Sequence, residues 1–146
     1  MGIERTNAEG YQDPTAYQAL LRMEREAERK AKACGRTYRP LVYICSPYAG
    51  DIKTNTLAAR RYSRYAVERG FIPIAPHLLF TQFLDDAVTE ERSLGLLFGN
   101  VLMGHCREVW VFGSRISAGM QAEIERALRK GCTLRRFTDD CMEVTA

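Results

Sequence analysis

Between residues 41 and 137, four short apolar runs alternate with longer segments whose apolar residues fall at helical spacing. Leu41 to Cys45 is uninterrupted apolar sequence, as expected of a strand covered on both faces. From Asp51 a helix is expected to Arg69, with Ile52, Leu57, Ala58, Tyr62, Tyr65 and Ala66 as apolar positions and Gly70 closing it. Phe71 to Pro76 reads as a second strand, and its prolines point to a sheet edge. Thr89 to Gly104 has helical spacing through Leu94, Leu97, Phe98, Val101 and Leu102. Cys106 to Phe112 is a third strand, Ala118 to Lys130 a helix ended by Gly131, and Cys132 to Phe137 a fourth strand, leaving Thr138 to Ala146 as a tail. This alternation predicts an α/β fold, a doubly wound parallel sheet of the flavodoxin/Rossmann-like kind with about four strands. Right-handed crossovers give the order 2-1-3-4, with the switch point between strands 1 and 3.

Ahead of this domain, residues 1–12 carry no periodicity and are expected to be flexible. Asp13-Pro14 reads as an N-cap followed by proline at the first helical position, opening an extra N-terminal helix to about Ala33. Its first half carries a thin apolar stripe of Tyr17, Leu20, Leu21 and Met23; its second half is almost wholly charged, with Glu26–Lys30 and Glu28–Lys32 as i,i+4 pairs. Such a helix either lies on the domain by its first turns or docks on a second subunit. Cys34 to Pro40 is a linker. The expected organisation is therefore 1–39 N-terminal tail and helix, 40–138 α/β domain, and 139–146 C-terminal tail.

Composition narrows the function. The 146 residues, 46% apolar and 27% charged, suit one soluble domain with a real core. No apolar run approaches a membrane span and the N-terminus lacks the apolar centre of a signal peptide, so a cytoplasmic protein without membrane contact is expected. The five cysteines are odd in number and form no C-x-x-C pair, which argues against a disulfide framework and against a metal site; most are expected to be small buried hydrophobes. A formal charge of +3 does not by itself imply nucleic acid binding, yet would not repel an anionic small ligand. No cofactor is implied.

The candidate chemistry sits where strands end. From Val109 to Ala127 the chain reads strand, turn and helix, a junction at the carboxyl end of the sheet where ligands collect and helix N–H groups face anions. Ser117 is a candidate N-cap, Gly119 permits close approach of a ligand, and Glu123 falls in the second helical turn, where the helix start is expected to keep it ionised. Across the switch point lies Ser46-Pro47-Tyr48-Ala49-Gly50-Asp51, a small-residue loop that is either a second phosphate-receiving turn or a plain turn; it is no Walker loop. His77 to Val88 is too apolar for a solvent-facing connection. As a lid it offers Phe80 and Phe83 for stacking on a base and His77, Asp85 and Asp86 as polar groups; alternatively the rings pack on the sheet and an aspartate caps the next helix. Gly95 and Gly99 mark a face open to close approach by another helix or subunit, and His105 reads as structural.

Tyr43-Ile-Cys-Ser-Pro-Tyr-Ala-Gly50, followed by a helix, a strand and Ser117-x-Gly-Met-x-x-Glu-Ile124, resembles the nucleoside 2-deoxyribosyltransferase-like superfamily, closest to its uncharacterised bacterial and phage members. The resemblance covers about residues 41–137. It implies that Glu123 attacks the anomeric carbon of a nucleoside or nucleoside 5′-phosphate, displacing the base and leaving a glycosyl-enzyme that water or a second base resolves. It implies substrate contacts from Ser46, Ala49 and Gly50 in the first loop, flanked by Pro47 and Tyr48, and from Ser114, Ser117, Gly119 and Met120 in the second, with His77 and Phe83 above. Where the family carries aspartate this chain has Ser117, so protonation of the leaving base needs another group, for which Asp85, Asp86 and His77 are the candidates. A homo-oligomer is expected, from the Gly95/Gly99 face, the charged helix and the family's habit of completing sites across subunits. The missing aspartate keeps a second function open, a non-catalytic module that sequesters a nucleotide-derived ligand in the same crevice. A phosphoribohydrolase with a Pro-Gly-Gly-x-Gly-Thr loop shares the reaction class but lacks support, because that loop is absent.

Overall fold

The computed structural model describes residues 14–33 and 39–145. The chain divides into two compact units, residues 1–38 and 39–146. The first holds α1 (Pro14–Ala33), in which Glu26 and Lys30 pair at 2.9 Å on the solvent side. The Asp13 cap, the segment before it, the linker at 34–38 and the Glu28–Lys32 pairing lie outside the described residues and side chains.

In the second unit, β1 (Leu41–Cys45), β2 (Ile72–Ile74), β3 (Glu108–Phe112) and β4 (Thr133–Phe137) form one parallel sheet in the order β2-β1-β3-β4. The order follows the right-handed crossover expectation, and proline-bearing β2 lies at the edge. Strand alternation divides the core in two. Val42, Ile44, Trp110, Phe112 and Phe137 face Tyr62 and Ala66 of α2 (Ile52–Glu68); Tyr43, Cys45, Val109 and Val111 face α4 (Thr89–Met103) and α5 (Ala118–Arg129). Helices thus cover both faces, as the continuous apolar strand runs require. Both helices at the switch point are capped by side chains, at α5 by the expected Ser117. Asp51 accepts from the Thr54 N–H at 3.2 Å, and Ser117 accepts from the Met120 N–H at 3.2 Å. Gly70 and Gly131, just past α2 and α5, take φ of +86° and +75°, which glycine adopts without strain.

Three segments differ from expectation. Pro76 starts a helical turn, α3 (Pro76–Leu79), that runs into a 3-10 turn over Phe80–Gln82, so the apolar stretch after β2 is helical rather than a loop. Proline at the first helical position and the 2.6 Å bond from the Thr81 hydroxyl to the His77 carbonyl account for this. In α4 the inward residues are Gly99 and Met103, whereas Leu94, Leu97 and Val101 are exposed. Periodicity identified the helix but not its covered side. The C-terminal segment is also no free tail. Val144 N–H donates to the Arg136 carbonyl at 2.9 Å, Arg135 grips Glu143 through two 2.8 Å bonds, and Cys141 packs on the α2-side core. Among the described residues no helix is long and apolar enough to cross a membrane.

Candidate active site

The carboxyl ends of β1 and β3 open into a crevice of about 370 Å³, walled by the loop after β1, by α3 and its 3-10 turn, by α4, and by the first turns of α5. Of the residues singled out in the sequence, Ser46, Tyr48, Ala49, His77, Asp86, Ser117, Gly119, Met120 and Glu123 line it. Pro47, Gly50, Ser114, Phe83 and Asp85 do not. Asp85 is held in a turn, where its carboxylate accepts from the Ala87 N–H at 2.9 Å and its own N–H donates to Glu91; Phe83, 63% exposed, borders a separate depression with it. The lid is therefore represented in the crevice by His77, Phe80, Thr81, Leu84 and Asp86.

Glu123 lies at the floor. Strand alternation turns Tyr43 and Cys45 toward α5, and the Tyr43 hydroxyl donates to the Glu123 carboxylate at 2.9 Å. Burial pushes the Glu123 carboxyl above its ordinary range, opposed by hydrogen bonds from Cys45 and Tyr43 and by the positive charge of Arg126. Burial outweighs the helix start here, since the dipole acts mainly within the first turn and Glu123 is in the second. Burial, and after it the neighbouring Glu123 charge, raise both the Tyr43 phenol and the Cys45 thiol, so both keep their protons and act as donors. Arg126, one turn beyond Glu123, lines the crevice together with Arg92.

The first loop is braced from below, with the Asn55 amide donating to the Tyr48 and Ala49 carbonyls at 3.1 Å each. Ser46 is buried and its hydroxyl lies 3.2 Å from His77 Nε2, while the His77 ring tilts against Tyr48 with centroids 5.7 Å apart. Burial lowers the His77 pKa to about 4, so the imidazole is neutral near pH 7 and is not a charged acid. A Cβ on Gly99 would stand 3.4 Å from both Pro76 and the Tyr43 hydroxyl. That small-residue face is occupied within the chain, by α3 and β1 rather than by a subunit.

Sequence reasoning missed Tyr43, Arg92 and Arg126 as site residues. Two signals were available: a tyrosine inside a buried strand needs a partner for its hydroxyl, and Arg126 shares a helix face with Glu123 at i,i+3. The four described cysteines are free, and among the described residues no three His, Cys, Asp or Glu side chains are grouped as metal ligands would be.

A family model described as "Domain of unknown function (DUF7768)" matches residues 40–137. The chain belongs to the DUF7768 family. No curated protein matches it significantly. Among solved structures, the 2-deoxyribosyltransferase of Bacillus psychrosaccharolyticus superposes with a TM-score of 0.58 at 12% identity, over 67% of this chain and 72% of that one. The 2-desoxiribosyltransferase from Leishmania mexicana superposes with a TM-score of 0.53 at 14% identity, over 68% of this chain and 64% of that one. The four-stranded parallel sheet of this chain and its flanking helices thus share the fold of these 2-deoxyribosyltransferases.

Proposed function

We propose that the crevice receives a nucleoside or nucleoside 5′-phosphate and that Glu123 cleaves or transfers its N-glycosidic bond through a covalent glycosyl-glutamate. The observation that carries this reading is the Glu123 carboxylate, held by Tyr43 at the floor of the switch-point crevice. The fold shared with 2-deoxyribosyltransferases supports it. A Glu123 oxygen bonds to the anomeric carbon as the carbon–nitrogen bond breaks, and the ionised carboxylate stabilises the oxocarbenium-like state between. The base departs with the bonding electrons and takes a proton, for which we assign Asp86, the lid aspartate on the crevice wall. Water or a second base then displaces Glu123 from the sugar. Ser46, Ala49 and the start of α5 at Ser117 and Gly119 are suited to sugar hydroxyls or a phosphate, with Arg92 and Arg126 adding positive charge.

A second reading is a module that holds such a ligand without turnover. It is favoured by the burial of Glu123, which raises its pKa and so opposes the ionised form that attacks, and by Ser117, whose hydroxyl is already engaged as a helix cap. Intact-protein mass spectrometry after brief incubation with a panel of nucleosides and nucleotides separates the two. A glycosyl-sized adduct on wild type and none on Glu123→Ala supports the covalent route and identifies the sugar. An unchanged panel combined with a ligand-induced rise in melting temperature supports the binding module; equal release of base by wild type and Glu123→Ala rules out the covalent route.

A further inference from the structure

Two of the free cysteines stand side by side at the end of the sheet away from the crevice. Cys106 lies in the turn between α4 and β3, and Cys132 in the turn between α5 and β4. The Thr133 N–H donates to the Arg107 carbonyl at 3.3 Å and Glu108 pairs with Thr133, so the two segments enter the ladder together. Cys106 and Cys132 are thus offset by one residue across strands about 4.8 Å apart, within the Cα separation of up to about 6.8 Å that a disulfide spans. Both side chains turn to the α4/α5 face, where Cys132 packs against the core that holds Cys106. The Cys132 thiol donates toward the Cys106 and Met103 carbonyls at 3.7 Å and 3.8 Å, and the Cys106 thiol donates to the Leu102 carbonyl at 3.3 Å. Cys106 is buried and Cys132 half-buried. Among the described residues no third His, Cys, Asp or Glu joins them as a metal ligand would.

We propose that Cys106 and Cys132 are a reversible redox pair, a site of disulfide modification that ties the end of α4 to the start of β4. One accessible thiol beside a second that can resolve it is the arrangement of an exchangeable disulfide. The Cys132 sulfur attacks a low-molecular-weight disulfide, breaking its S–S bond and releasing a thiolate that takes the proton Cys132 gives up. The Cys106 sulfur then attacks the Cys132 sulfur of the mixed disulfide, and its proton passes to the second departing thiolate. Two protein thiols are oxidised by two electrons, and the small disulfide is reduced to two thiols. Burial, and after it the neighbouring Cys132, push the Cys106 thiol up to about 12, so it stays protonated near neutral pH and enters second. The bond closes a loop that contains β3, α5 and Glu123, and both helices it restrains wall the crevice, so oxidation holds the site from its far end. The proposal does not depend on what chemistry the crevice performs.

The test is incubation of the full chain with oxidised glutathione, alkylation of the remaining thiols and peptide mapping by mass spectrometry. An intrachain bond between the Cys106 and Cys132 peptides is expected, absent from Cys132→Ser and reversed by dithiothreitol. Oxidised wild type should unfold at a higher urea concentration than the reduced protein and exchange its α5 amides slower by about tenfold or more. Cys132→Ser should show neither difference; because Cys132 is half-buried it serves even if Cys106→Ala does not fold. Glutathione left on Cys132 with Cys106 free, a bond to Cys34, Cys45 or Cys141 instead, or no reaction overturns the proposal. A mapped Cys106–Cys132 bond with unchanged midpoint and exchange overturns the restraint on the site.

Discussion

Glu123 and His77 face the same crevice, and burial moves both toward the neutral form with opposite consequences for stability. His77 titrates at about 4 when folded, against 6.5 ordinarily. Its contribution is fully present above 6.5 and is lost as pH falls from there to about 4, at a slope of at most about 1.4 kcal/mol per pH unit. Urea titrations of wild type and His77→Gln should therefore diverge across that window, with the variant losing less; parallel curves would show that His77 is not buried as described. Glu123 carries the other sign: its pKa is raised, so its contribution is present at acid pH and lost as pH rises through the folded value. The hydrogen bond from Tyr43 opposes that rise. A bond to a charged group is worth about 1.5–3 kcal/mol, so Tyr43→Phe should lower any glycosidic activity by about 10- to 100-fold and move the acid limb of its pH profile upward. A variant with reduced rate but an unmoved acid limb would show that the phenol acts on something other than the carboxylate.

The two glycines of α4 separate helix propensity from packing. A Cβ on Gly95 meets only the Leu84 side chain at an ordinary 3.8 Å, so Gly95→Ala should stabilise by up to about 1 kcal/mol. Gly99 is pressed against Pro76 and the Tyr43 hydroxyl, so Gly99→Leu must push α3 outward and break the Tyr43–Glu123 geometry, at roughly 1–3 kcal/mol. Denaturant midpoints of the two variants should move in opposite directions, and a stabilised Gly99→Leu would contradict the close approach. These elements also show what the sequence carries. Ser117 was readable as a cap because capping is local chemistry, and the four strands because each is a continuous apolar run between turns. The covered side of α4 was not readable, since an apolar stripe records that a face avoids water and not what covers it. Asp85 and Asp86 are neighbours of one residue type, yet a turn hydrogen bond keeps the first out of the crevice; only the path of the backbone separates them. Tyr43 was quoted within a motif without a role, because its partner lies 80 residues away.

Strand order was legible through crossover handedness, and with it the convergence of the first loop, the lid segment and α5 on one crevice. Every strand pairing spans a crossover: β1 meets β2 at Leu41↔Ile72 and β3 at Val42↔Glu108. Among the described residues no two of these four strands form a local hairpin, so the two faces of the sheet are expected to unfold together. Cys45 on the α5 face and Trp110 on the α2 face offer a probe for each. Pulsed thiol labelling mapped at Cys45 and the fluorescence of Trp110 should share one urea midpoint; earlier labelling of Cys45 would mean that the crevice side opens on its own. The placement of Trp110 has a practical result for anyone seeking the ligand. It is the single tryptophan of the chain, 1% exposed, enclosed by Phe71, Phe137 and the Arg135 guanidinium on the side of the sheet turned away from the crevice. A molecule that fills the crevice meets Tyr43 and Tyr48 instead. Emission from the indole reports whether the fold is intact and is nearly blind to occupancy, so a flat tryptophan trace during titration is the expected background of a binding experiment, and tyrosine absorbance or heat is the signal to follow.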